Sequence, residues 1–298
     1  MHLFNNKPAK PIFLKTDSSL TSDLERFLVL RESAPFEIQE LLDKEITILK
    51  YGIQGEKNIA YELSQATYPM AILHDLYLVS GEQSAQIDYL VITRGCTFVI
   101  ESKNLIGEIT VDNKGEFSRK ITVGKRYYKE GIYSPVTQNK RHLELLKEII
   151  VNKQSNFLKK TLVSNAFYDY HKSLVVFADG KCTINDRYAP KEIKRQLIKA
   201  DRLVSYMHDI NMKLDPSMLS SEKGMMAKAE GILKLNQKNP TDYLEKYRKM
   251  IDEYKASEPV CPKCGAPMVK RIARKGINAG KEFYGCSRYP ECNGTKSI

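Results

Sequence analysis

The sequence predicts an α/β protein: a helix, mixed β-sheet and helix core, with helical extensions and a small cysteine-rich module at the C-terminus. Three observations predict it. Between residues 54 and 207 the apolar pattern switches from a helical period to strands, then to a helix, a strand and a helix again. Three runs, Ala71–Val79, Gln86–Thr93 and Cys96–Lys103, follow one another across short turns. Four of the six cysteines, Cys261, Cys264, Cys286 and Cys292, fall within the last 38 of 298 residues. At 42% hydrophobic the chain has enough apolar mass for a core, which excludes wholesale disorder. Its formal charge of +11 points to a polyanionic partner, a nucleic acid or an anionic membrane surface. No apolar run reaches the roughly 18 residues that a bilayer span requires. The basic N-terminus lacks a signal-like apolar stretch, so a cytoplasmic protein without membrane attachment is expected.

Residues 1–49 carry a helical rhythm around Leu24, Phe27, Leu28, Leu41, Leu42, Ile46 and Leu49, and are expected to form a mostly helical extension. A central domain is expected over 50–208. Gly52 and Gly55 punctuate its start, and Gln54–Thr67 reads as a helix with Glu56, Ile59, Ala60 and Leu63 on one face. After the three strands, Gly107–Val111 and Glu116–Val123 read as further strands. Pro135–Asn152 is an amphipathic helix, Ser173–Ala178 an apolar strand and Pro190–Met207 a helix. Residues 209–257, rich in Lys and Glu, read as a helical connector broken at Asn239-Pro240, and 258–298 is the cysteine module. Cys96 and Cys182 sit apart and are read as unreactive buried thiols.

The chemistry concentrates at Asp88, Glu101 and Lys103. If Arg94-Gly95 is a two-residue turn, Thr93 pairs with Cys96 and Asp88 falls opposite Glu101. Lys103 rejoins that face two residues later. Opposed carboxylates repel unless a cation lies between them, and a hard ion with oxygen ligands, Mg²⁺ by default, suits the pair. Lys103 can then orient a water or stabilise phosphoryl charge, and Glu56 can add a third carboxylate. The same three residues also describe a solvated ion pair, and the pattern alone leaves both readings open.

Several ordered blocks carry a resemblance. Gly52-Ile-Gln-Gly55-Glu56, Gln86-Ile-Asp88-Tyr-Leu-Val, Gly95-Cys-Thr-Phe-Val-Ile-Glu101-Ser-Lys103-Asn104, Gly107-Glu-Ile and Pro135-Val-Thr-Gln138-Asn-Lys-Arg-His142 resemble the nuclease-related domain (NERD) family. That family has the PD-(D/E)XK restriction-endonuclease-like fold, and the likeness covers roughly residues 50–150. It implies that Asp88 and Glu101 hold Mg²⁺ or Mn²⁺, that Lys103 is the catalytic lysine, and that Glu56 is the helix acid. It also implies a supporting role for Gln86. Gln138 and His142 share one face of the following helix and can reach the site or a phosphate, although a lone helical His is more often an ordinary hydrogen-bonded residue.

Cys261-Pro-Lys-Cys264 forms a knuckle, and Cys286 and Cys292 are a wider second pair. The 21 residues between the pairs suit a β-hairpin. Four thiolates make a closed tetrahedral site for one structural Zn²⁺, with a disulfide as the competing reading. The module carries eight Lys/Arg against Glu282 and Glu291, about +4 once the thiolates and metal are counted. Lys270, Arg271, Arg274, Lys275 and Arg288, interleaved with Phe283, Tyr284 and Tyr289, offer phosphate contacts and stacking faces for single-stranded nucleic acid. The rings can equally form the module's core. The run from Cys261 to Cys292 resembles the four-cysteine zinc finger of bacterial type IA topoisomerases, which implies DNA binding without chemistry.

Together these features lead us to expect a metal-dependent DNA nuclease with a DNA-binding zinc ribbon, acting in DNA processing, repair or defence. A non-catalytic DNA-binding adaptor on a degenerate nuclease fold and a nuclease acting on RNA are the alternatives. A helicase or other DNA-processing partner and a homodimer are compatible with such an activity, and the sequence specifies neither.

Overall fold

The computed structural model describes residues 10–257 and 259–298. The first nine residues of the expected N-terminal extension, and Glu258 at the start of the cysteine module, lie outside the described residues. In chain order the elements begin with β1 (Ile12–Lys15), α1 (Ser19–Ser33), α2 (Phe36–Ser64), β2 (Met70–Ser80), β3 (Gln83–Thr93) and β4 (Thr97–Lys103). They continue with β5 (Gly107–Val111), β6 (Phe117–Val123), β7 (Arg126–Ile132), α3 (Pro135–Asn152), α4 (Phe157–Tyr170), β8 (His171–Phe177) and β9 (Cys182–Asn185). The rest are α5 (Lys191–Lys194), β10 (Leu197–Lys199), α6 (Leu203–Asn211), α7 (Glu222–Leu233), α8 (Glu245–Ser257), β11 (Met268–Ile272), β12 (Glu282–Cys286) and β13 (Thr295–Ser297). The chain makes two compact units. One takes the described residues up to Glu25 with Ile46–Thr241, and the other takes Arg26–Glu45 with Asp242–Ile298.

A six-stranded mixed sheet, ordered β1-β2-β3-β4-β8-β10, forms the centre of the first unit. The β2–β3–β4 meander is antiparallel, whereas β1, β8 and β10 join in parallel. Helices cover both faces, which is why β2 is an almost unbroken apolar run. On one face Ile59 and Leu63 of α2 and Leu203 and Met207 of α6 pack on Ile72, Tyr89, Val91, Phe98 and Val176. On the other, Leu143, Leu146 and Ile149 of α3 and Met225, Ala229 and Ile232 of α7 pack on Leu73, Leu90, Ile92 and Val99. A second sheet, ordered β7-β6-β5-β9, buries Ile109, Val111 and Phe117 against Val136, Val175 and Phe177. Cys96 and Cys182 are both buried. No helix among the described residues is long and apolar enough to cross a membrane.

Two expectations are corrected. The helix expected to start at Gln54 begins at Phe36 and runs through both glycines. The glycines mark close approach rather than a break. A Cβ on Gly55 would lie 2.6 Å from the Cβ of Asn104, and one on Gly52 would lie 3.0 Å from Leu20. The helix expected over Pro190–Met207 is interrupted: Leu197–Lys199 pairs with Val175–Phe177, and this tertiary pairing overrides a locally helical rhythm. Before the first helix, Ile12–Lys15 adds a parallel edge strand beside β2. Within residues 209–257, α7 buries Met225, Ala229 and Ile232 in the core of the first unit.

Gly55 therefore supports a prediction of opposite signs. Gly55→Ala should destabilise by about 1–3 kcal/mol through overpacking against Asn104. Gly231→Ala, in helix α7 with open space around the position, should stabilise by about 0.5–1 kcal/mol. Urea unfolding of both variants checks this, and equal gains would rule out the close approach.

Candidate functional site

The turn Arg94-Gly95 sets the register of β3 and β4. Thr93 N–H donates to Cys96 O (2.8 Å), and Ile92, Val91, Leu90 and Tyr89 pair with Thr97, Phe98, Val99 and Ile100. This is the register that a two-residue turn dictates. The ladder stops after Tyr89. At Asp88 the side chain replaces the strand, its Oδ2 accepting the Ser102 N–H at 2.7 Å. On the other edge, the β2 pairing passes from His74↔Tyr89 to Leu76↔Ile87. The register is unchanged across this gap, so Asp75 falls opposite Asp88 without a ladder pair, and it has a φ of 54°, a left-handed conformation unusual for a non-glycine. At residue 88, β3 loses regular pairing on both sides, and the sheet opens where the acids stand.

Glu101 is buried. Its Oε1 accepts from Lys103 Nζ at 2.5 Å, and that ammonium also donates to Gln138 Oε1 at 3.2 Å. Its Oε2 faces His142 Nδ1 at 3.5 Å, and both atoms are buried without a hydrogen-bond partner. Burial, then the Lys103 charge, pushes His142 down to about 4, so the imidazole is neutral near pH 7 and does not neutralise Glu101. Burial, then the charge of Glu101, pushes the Asp88 carboxyl well above the usual carboxylate range. Burial also raises Glu101, against the lowering influence of Lys103. A buried and a half-buried acid, with one nearby cation and an unpartnered oxygen, make a donor set that fits a hard divalent ion.

α3 is held over this site by Asn139, which is fully buried and donates to Val99 O and Leu174 O, each at 2.9 Å. That anchor fixes Gln138 and His142 on the adjoining turns. Its sequence signal was only a polar residue on the apolar stripe of an amphipathic helix.

Glu56 and Gln86 stand in a neighbouring cluster rather than in contact with Asp88 and Glu101. Glu56 Oε2 accepts from Ser18 Oγ (2.8 Å) and lies 3.1 Å from His74 Nε2. Its backbone carbonyl accepts from the Tyr89 hydroxyl at 2.9 Å. The Glu56 carboxylate reaches Asp88 through its field, which also raises Asp88. Gln86 donates to Asp75 Oδ1 and accepts from Asn239 Nδ2. Asp75 also accepts from Ser19 N–H at 2.6 Å, capping the start of α1. Ser18, His74, Asp75 and Asn239 have no pattern that sequence reasoning could use, because each lies far along the chain from its partner.

In the second unit, β11, β12 and β13 form an antiparallel sheet, with Met268↔Cys286 and Lys270↔Tyr284 in register. All four cysteine Sγ atoms lie within 4.8 Å of one another, with Cys261–Cys292 at 3.7 Å and Cys264–Cys286 at 3.5 Å. A tetrahedron with Zn–S bonds of about 2.3 Å has sulfur–sulfur edges of about 3.8 Å, so the four thiolates fit one Zn²⁺. Gly294 has no side chain because a Cβ there would collide with Cys261 Sγ. Of the sequence-predicted binding residues, Lys270, Arg271, Arg274, Phe283 and Tyr289 line one groove. The Arg271 guanidinium sits 5.3 Å from the Tyr289 ring centre. Lys275 and Arg288 lie outside that groove. Tyr284 packs on the cysteine core instead, so its ring is structural.

Comparison with known proteins separates the same two parts. Residues 51–178 match the nuclease-related domain (NERD) family, and residues 258–298 match the topoisomerase DNA binding C4 zinc finger. A DNA topoisomerase 1 of Methanocaldococcus jannaschii is 48% identical over 46 residues, covering 15% of this chain and 5% of that enzyme. The chain thus spans only a small fraction of that relative's length. No solved structure matches the chain.

Two predictions follow from this geometry. Asp88→Asn keeps an acceptor for Ser102 N–H but removes the charge facing Glu101. Its unfolding midpoint without divalent ions should exceed that of the wild type, and Mg²⁺ should no longer raise it. A lowered metal-free midpoint would refute the repulsion. Metal analysis should find about one Zn²⁺ per chain, and Cys286→Ser should release it and unfold the tail. The helical and sheet signal of the first unit should persist. Zinc-free wild-type protein with a folded tail would refute this.

Proposed function

We propose that the protein is a divalent-metal-dependent nuclease that hydrolyses phosphodiester bonds in DNA, with the zinc ribbon as a DNA-binding tail. The observation that carries the reading is buried Glu101 beside half-buried Asp88 where the β3–β4 ladder ends, with an unpartnered Glu101 oxygen and with Lys103 next to it. A structural ion pair has no need of a second acid and would leave no buried oxygen orphaned.

Asp88 and Glu101 would hold Mg²⁺ or Mn²⁺, which when bound supplies positive charge to the scissile phosphate. Lys103 donates toward the phosphoryl oxygens or the attacking water, and Gln138 holds the ammonium in place from α3. Water oxygen bonds to phosphorus, the bridging P–O bond breaks, and the leaving oxygen takes up a proton. Asp88, held by Ser102 N–H, is restrained in its rotamer before substrate arrives. In the tail, the groove lined by Lys270, Arg271 and Phe283 provides phosphate contacts and a stacking ring. The topoisomerase-type match supports DNA as the ligand.

Cleavage of circular single- and double-stranded DNA, and of matched RNA, with Mg²⁺, Mn²⁺ or EDTA tests the reading. Lys103→Ala should lose on the order of 100-fold or more in rate while DNA affinity stays near that of wild type. Wild-type cleavage by Lys103→Ala would move the active site elsewhere. A wild-type protein that binds DNA but cuts nothing with any metal would favour an adaptor, and preferential cutting of RNA would change the substrate.

A further inference from the structure

The second sheet of the first unit carries a basic and aromatic surface that the proposed chemistry leaves unused. β6 and β7 form a hairpin closed at Gly124 and Lys125. From Phe117 to Tyr133 the chain has five cations, Arg119, Lys120, Lys125, Arg126 and Lys129, and one acid, Glu130. That acid is engaged by Arg119 Nη1 at 3.5 Å. Every residue of β7 from Arg126 to Gly131 is exposed. Tyr127 and Tyr128 project to opposite faces and are 67% and 57% exposed.

The register makes the surface electrostatically uncomfortable. Lys120 lies directly opposite Lys129, and like charges so placed destabilise a strand pair. Glu108 of β5 flanks Lys120, but its carboxylate accepts from Asn185 Nδ2 at 3.3 Å. Lys120 Nζ lies 4.7 Å from the Tyr127 ring centre. Edge protection would account for the lysines alone. It does not account for two large exposed rings among them, which promote association rather than prevent it.

The hairpin is also bracketed by the candidate site. The chain leaves Lys103 at the end of β4, makes β5, β6 and β7, and enters α3, whose Gln138 and His142 reach Lys103 and Glu101. Tyr133, at the exit, lies 5.8 Å from the Arg141 guanidinium of that helix. We propose that the β6–β7 hairpin is a second nucleic-acid-binding surface, a guide for single-stranded DNA beside the Asp88/Glu101 site. Lys120, Lys125, Arg126 and Lys129 contact phosphates, and Tyr127 and Tyr128 stack on bases. The inference rests on the nuclease reading for its place beside a reaction, but not for the binding itself.

Binding of the full-length chain to a fluorescent single-stranded oligonucleotide, without Mg²⁺ or Mn²⁺, tests it. The triple variant Lys120→Ala, Arg126→Ala, Lys129→Ala should flatten the slope of log affinity against log salt by about 2, at roughly 0.7 per lost phosphate contact. Tyr127→Ala should weaken single-strand binding by at least about fivefold. A control triple, Lys159→Ala, Lys213→Ala, Lys223→Ala, removes the same charge from other exposed positions of this unit and should change the slope by less than half as much. Equal effects in the two triples, or wild-type binding by Tyr127→Ala, would overturn the proposal. All these side chains face solvent, so unfolding midpoints should not fall below the wild-type value, the hairpin triple gaining from relief of the Lys120–Lys129 repulsion, and Tyr127→Ala decides alone if a triple fails to fold. Hairpin variants that weaken binding in a protein that cuts nothing would sink the nuclease reading and keep this one. Variants that bind and cut like wild type would do the reverse.

Discussion

The repulsion between Asp88 and Glu101 is the constraint on which the site depends. Glu101 is buried and Asp88 half-buried in a sheet covered by helices on its two faces. Burying like charges together is costly without compensation. Lys103 offsets part of that cost at Glu101, and Ser102 N–H offsets part at Asp88. What remains must be carried by the packing around it. The apolar ladders from Tyr89 to Ile92 and from Thr97 to Ile100, buried on both sides, supply that packing immediately next to the strain. Local strain of this kind persists only where the surrounding structure over-determines it.

The opening beside the acids has its own supports. Asp75 has a positive φ where the β2–β3 ladder skips a pair, and its carboxylate is fixed by Ser19 N–H and Gln86. Ser18, one residue earlier, binds Glu56. The start of α1 therefore ties together the interrupted pair in β2 and the acid on α2. This gives the N-terminal segment a physical role that its plain helical rhythm did not suggest. Its two serines hold the Glu56 and Asp75 carboxylates in place, and the Glu56 charge acts on Asp88 from that fixed position. Under the nuclease reading, the segment tunes the site without touching substrate.

Much of this was legible in the sequence where the deciding interactions are local. A two-residue turn leaves one register for β3 and β4, which runs as counted to Tyr89↔Ile100 and stops one pair short of Asp88 and Glu101. Four clustered cysteines with a knuckle left little choice for their geometry either. The misreadings share a physical cause. Gly52 and Gly55 look like breaks to any local rule, yet Leu20 and Asn104 press against the helix there and require the missing side chains. Leu197–Lys199 is too short to declare its period and becomes a strand only because β8 offers a parallel edge. Met225, Ala229 and Ile232 lie in a Lys- and Glu-rich stretch, and their burial depends on a sheet face formed by residues more than a hundred positions earlier.

The cysteine cluster and the metal site proposed at Asp88 and Glu101 would divide structure from chemistry. In the cysteine cluster every sulfur has its place in a closed tetrahedron, and the backbone crowds in at Gly294, leaving no vertex for water or substrate. Such a site can shape a surface, and the surface it shapes sets Arg271, Phe283 and Tyr289 along one groove. Asp88 and Glu101 are the opposite case. They offer few protein ligands, one oxygen without a partner, and an edge where the strand ladder has ended. A hard cation there must complete its shell with water or with phosphate oxygens, because the protein does not fill it. Under the nuclease reading, that incomplete shell would give the acidic pair a route to chemistry that the thiolates lack. On the same reading a chain with a net charge of +11 would keep two acids together because a phosphodiester brings negative charge to the protein, and a cation held by the acids would place positive charge directly on the reacting phosphate.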